Sequence, residues 1–126
     1  MPVTDVIDWR NGGIGYQEAF GLLHERWGET HYHHWCHTIS NAQIISIGVL
    51  WGDGELGQSI CRTVQLGFDT DSAGATVGSF VGMSRGADAL SADWLEPLDD
   101  TIDTGIDGYQ RGAISDLAAE TVDFYG

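Results

Sequence analysis

Lysine is absent from this chain: its 5 basic residues are all arginine, set against 19 aspartates and glutamates, for a formal charge of −14 at neutral pH. A surface so poor in cations does not neutralise phosphates, so neither a nucleic acid nor an anionic membrane is an expected partner. Most of these carboxylates read as a solvated acidic coat, as in proteins of a salt-rich cytoplasm. Cysteine is scarce as well. Cys36 and Cys61 form neither a C-x-x-C pair nor a dense framework, so both are expected as reduced thiols. Long apolar runs are also missing: Ala42 to Trp51 is interrupted by Gln43, Ser46 and Gly48 and has about half the length that crosses a bilayer. Met1–Asp8 has no basic segment followed by an apolar one and does not read as a signal peptide. The expectation is a soluble, cytoplasmic protein. With 126 residues, one folding unit is the default.

What is present is helical periodicity. Tyr16, Phe20, Leu23 and Trp27 recur on one face of a helix, with Gly28 as its stop signal. A second helix reaches Trp51, capped by Ser40 or Asn41. Its apolar residues, Ala42, Ile44, Ile45, Ile47, Val49, Leu50 and Trp51, go almost all the way round, as in a helix surrounded by others. After Gly52-Asp-Gly54, the row Leu56, Ile60, Val64 predicts another helix ending near Gly67. The next should begin at Asp71 or Ser72, with glycines 74, 78, 82 and 86 forming one stripe. Four helical glycines cost roughly 3–4 kcal/mol relative to alanine, so a close neighbour is expected to compensate. Glu96 to Gly105 reads as a loop or a short extended piece. A last helix, capped by Ser115 or Asp116, runs through Leu117, Val122 and Phe124. The expected fold class is all-α, a helical bundle.

Two clusters could carry chemistry. Asp69-Thr70-Asp71-Ser72 places two carboxylates and a hydroxyl in one turn ahead of a helix, between Gly67 and Gly74. Carboxylate and hydroxyl oxygens suit Mg²⁺ or Mn²⁺, and the following helix N-terminus suits a phosphate. Asp and Ser are also ordinary helix caps, and the local pattern alone leaves that alternative open. The second cluster is His31, His33, His34, Cys36 and His37. Alternating histidines point to opposite sides, and no second ligand pair follows at a zinc-finger spacing, so these rings read as a loop over the core.

The segment from His37 to Val81 carries an H-T-x-x-N-A opening at His37–Ala42, a G-D-G-E connection at Gly52–Glu55, the turn Gly67-Phe-Asp-Thr-Asp-Ser72 and a Gly/Ala-rich helix. In that order these motifs resemble the ADP-ribosylglycohydrolase family. Glu96-Pro-Leu-Asp-Asp-Thr101, Gly105-Ile-Asp-Gly-Tyr109 and Ile114-Ser-Asp-Leu117 look like the family's C-terminal end, and the resemblance is strongest over 37–117. It implies an all-α fold in which Asp69, Asp71 and Ser72 contribute to a site for two Mg²⁺ or Mn²⁺ ions. It further implies that His37, Asn41, Gly67, Thr70 and Gly74 lie on the substrate side. The remaining metal ligands of the family come from a T-D-D-type motif and another acidic residue in an N-terminal half. Members are normally more than twice this length, so the chain is expected to be the C-terminal part of one. Asp99-Asp100-Thr101 matches the family's C-terminal stretch and reads as structural, and Thr4-Asp5 is a weaker match to the missing motif.

The resulting expectation is part of a metal-dependent hydrolase that cleaves the glycosidic bond between ADP-ribose and an acceptor, incomplete as an enzyme on its own. A separate N-terminal half or self-association would complete it. The rival from another class is a non-catalytic helical module that retains the metal-binding turn.

Overall fold

The computed structural model describes residues 2–28 and 35–125. The chain divides into two compact units, residues 1–88 and 89–126, where length alone set one folding unit as the default. The first unit is built from α1 (Pro2–Asn11), α2 (Tyr16–Trp27), α3 (Thr38–Trp51), α4 (Leu56–Gln65) and α5 (Thr70–Arg85). The second contains α6 (Ala92–Leu95), β1 (Thr101–Asp103), β2 (Arg111–Ala113) and α7 (Ile114–Tyr125). The fold is all-α apart from this small hairpin. No described helix is long and apolar enough to cross a membrane.

Helix α3 is central in the first unit, packing against α1, α2, α4 and α5. It begins at Thr38, ahead of the expected start. The cap is therefore His37, whose Nδ1 accepts the Ile39 N–H at 3.3 Å, in place of the expected Ser40 or Asn41. Ser40 instead donates its hydroxyl to the His37 carbonyl at 2.9 Å. The first helix, α1, was not expected from the motifs. Its signal is Pro2 at the first helical position, where the missing N–H costs nothing, followed by Val3, Val6 and Ile7. Val6 is fully buried.

Val6, Ala19, Leu23, Ile44, Ile47, Trp51, Leu66 and Ala73 form the core. One polar residue ties three helices within it. Gln43 accepts the Trp27 indole N–H and donates its amide to the Pro2 carbonyl at 2.6 Å, so a fully buried side chain has its polar ends met.

Helices α3, α4 and α5 interlock through glycine. A Cβ at Gly48 would lie 1.8 Å from Thr63 Oγ1, and one at Gly52 1.8 Å from Ser59 Oγ. Ser59 and Thr63 are accordingly the buried residues of α4. The Leu56, Ile60, Val64 row turns toward α5 instead: a Cβ at Gly74 would meet Val64 at 3.2 Å, and one at Gly78 would meet Ile60 at 3.4 Å. The expected glycine stripe thus has three fates. Gly74 and Gly78 admit α4, a Cβ at Gly82 would meet nothing within 4 Å among the described residues, and Gly86 ends the helix at φ 77°. In both contacts the residue numbers run in opposite order, so the neighbours are antiparallel and α3 and α5 run the same way. Their N-termini lie at one end of the layer.

In the second unit β1 and β2 pair antiparallel, Thr101 with Ala113, Ile102 with Gly112 and Asp103 with Arg111. Asp99 and Asp100 enter this hairpin at φ 46° and 47°. The cap of α7 comes from Asp100 and replaces the expected Ser115 or Asp116. Its carboxylate accepts the Ser115 N–H at 2.9 Å and the Ser115 hydroxyl at 2.5 Å. The hydroxyl first, and then the amide, hold Asp100 below the usual carboxylate range.

Candidate metal centre

The turn from α4 to α5 presents the two carboxylates, and the local sequence explains its shape. Helix α4 closes with the Leu66 N–H on Thr63 O and the Gly67 N–H on Val64 O. Gly67 then adopts φ 79° and Phe68 φ 65°. A left-handed residue with a side chain costs about 1–3 kcal/mol. Phe68 offsets this by packing on the core cluster, with its ring 5.5 Å from that of His24. Asp69 follows as the N-cap of α5, its carbonyl accepting the Ala73 N–H at 2.9 Å.

The Asp69 side chain makes no capping hydrogen bond. It lies within hydrogen-bond reach of the Asp71 carboxyl instead. Partial burial, then the hydrogen bond and charge of Asp71, raise Asp69 above the ordinary aspartate value. Asp71 is lowered by the bond to Asp69 and by the N–H groups of Ser72 and of Asp71 itself. Opposite shifts of this kind are expected when two acids share a site. The arginines are engaged elsewhere. Arg10 pairs with Asp53, Arg26 with Asp5 and Arg111 with Asp103, while Arg62 covers the Tyr16 ring and Arg85 donates to the Gly54 carbonyl. Among the described residues the backbone N–H groups of Asp71 and Ser72 ease the Asp69–Asp71 repulsion, and no arginine does.

The donor set fits a hard divalent ion in kind: two adjacent carboxylates, with the Ser72 hydroxyl in the same turn. It is small in number. Among the described residues no group of three or more His, Cys, Asp or Glu side chains could hold a metal. His31, His33 and His34 of the ring-rich stretch lie outside the described residues.

Of the other sequence-derived candidates, Gly67 and Thr70 belong to this turn, and Gly74 is buried one helical turn on, against Val64. His37 and Asn41 lie at the N-terminus of α3, at the same end of the layer. The His37 ring stacks 5.9 Å from that of Trp27. The Asn41 amide donates to the carbonyls of Trp35 and His37 at 3.0 and 3.2 Å, while its Oδ1 is buried with no partner among the described residues. His24 is the contributor that the motifs do not reveal. Its Nε2 lies 2.9 Å from the Leu66 carbonyl and its ring stacks on Phe20 at 4.4 Å. The spacing of four from Phe20 is the available signal.

Set against protein families, the chain matches ADP-ribosylglycohydrolase over residues 4–124. It belongs to the ADP-ribosylglycohydrolase family, and the match takes in the segment before His37 as well as the motif-bearing one. No curated protein and no solved structure gave a significant match.

Proposed function

We propose that this chain supplies part of a Mg²⁺ or Mn²⁺ site in a hydrolase that cleaves the bond between ADP-ribose and an acceptor. Asp69, Asp71 and Ser72 hold the metal, and His37, Asn41, Gly67, Thr70 and Gly74 border the substrate. The observation that carries the reading is the Asp69–Asp71 pair, two carboxyls held together with every arginine engaged elsewhere. A divalent cation held by Asp69, Asp71 and Ser72 would supply the positive charge that a diphosphate needs near a chain of charge −14, and Lewis-acid character toward sugar hydroxyls and water. The N-termini of α3 and α5 lie at the same end, where the positive ends of their helix dipoles suit phosphate oxygens.

The same donor count limits the isolated chain. Two carboxylates and a hydroxyl leave most of an octahedral shell to water and other donors, so metal binding is weak and hydrolysis slight until a partner contributes more. An open apolar groove of about 260 Å³ between Val3 and Ile7 of α1, Ile45 and Val49 of α3, and Phe80 of α5 supports such a partner, either a family N-terminal half or a second copy. The test is ADP-ribosyl hydrolysis with and without Mn²⁺, for the chain alone and with the N-terminal half of a relative. We expect rescue in trans, abolished by Asp71→Ala. A second reading, a non-catalytic module that keeps the turn, is favoured by the small donor count, and metal binding without any rescue would select it.

A further inference from the structure

We infer that His24 is a positioning residue for the Asp69–Asp71 pair, acting through the Leu66 carbonyl and the Phe68 ring; this rests on the metal reading above. A carbonyl only accepts, so His24 Nε2 carries the proton and donates to Leu66 O at 2.9 Å. Leu66 is the C-cap of α4, and its carbonyl is among those that a helix end leaves without an internal partner. The next two residues, Gly67 and Phe68, both adopt left-handed φ, and Asp69 follows directly. The His24 ring is wedged between Phe20, at 4.4 Å, and Phe68, at 5.5 Å. One imidazole thus fixes the backbone where the turn begins and abuts the strained side chain within it. Released from His24, Leu66 O would turn to water and Phe68 could leave its left-handed conformation. The two carboxyls would then no longer be held side by side.

Three variants separate the donor from the ring and the turn from the metal. His24→Phe keeps an aromatic ring without the N–H, His24→Gln keeps an N–H without the ring, and Asp71→Asn tests the ligand itself. Two readouts are needed: Mn²⁺ affinity of the purified chain, from the EPR signal of free Mn²⁺, and hydrogen exchange of the Ala73 amide, which bonds to Asp69 O. Circular dichroism confirms that each variant is folded. His24→Phe should weaken Mn²⁺ binding roughly tenfold, the scale seen when a residue that orients a ligand is removed, and should speed Ala73 exchange. His24→Gln, which keeps the donor but loses the ring against Phe68, should recover part of both. A folded His24→Phe with wild-type Mn²⁺ affinity and wild-type Ala73 exchange overturns the inference. If Asp71→Asn binds Mn²⁺ as tightly as wild type, the metal reading fails instead, and Ala73 exchange in His24→Phe still decides whether His24 sets the turn.

Discussion

Replacing Asp69 by Asn should raise the melting temperature slightly while weakening Mn²⁺ binding. The folded pKa of Asp69 lies above its ordinary value. The stability from its protonated form is therefore present below about pH 4 and lost as pH rises through the raised value. An amide at this position carries no charge and still donates to Asp71. Differential scanning fluorimetry at pH 7, with an EPR titration beside it, checks both halves. Asp100 works the other way. Its folded pKa is lowered, so its contribution is present above about pH 4 and lost as pH falls through the lowered value. Asp100→Asn should melt lower at pH 7 and show a flatter loss of helix signal on acidification than wild type, measured by circular dichroism.

Two glycines of the helical layer should respond to alanine with opposite sign. Gly48→Ala drives a methyl into Thr63 and should cost about 1–3 kcal/mol by overpacking. Gly82→Ala meets nothing among the described residues and should gain up to about 1 kcal/mol from helix propensity. Urea denaturation of both variants reads the difference. Periodicity made the helices legible: the row Tyr16, Phe20, Leu23, Trp27 gives α2 with its observed ends, and the all-round apolar pattern places α3 at the centre. Helix starts were less legible, because the caps are unusual or remote. Histidine is a rare N-cap, and Asp100 reaches α7 from 15 residues upstream. The turn at Gly67–Ser72 was visible as a motif. The role of His24 was not, since it depends on a contact spanning 42 residues that no local pattern encodes.

At the scale of the whole molecule, a formal charge of −14 means that like charges repel across the folded surface more than in the expanded chain. Screening should relieve this, so the melting temperature should climb between low and molar NaCl. A flat response in fluorimetry would show that these carboxylates are already compensated locally.

The antiparallel run of α3, α4 and α5 also has a kinetic meaning. Each contact in it joins residues close in sequence, Gly52 to Ser59, Gly48 to Thr63 and Val64 to Gly74, so little chain entropy is lost in closing it. The α1–α3 packing and the Trp51 indole on Ile14 O close far longer loops. The three consecutive helices are thus the natural nucleus, with α1 and α2 docking after the barrier. In stopped-flow experiments Gly48→Ala should slow refolding, whereas Val6→Ala should leave refolding nearly unchanged and accelerate unfolding.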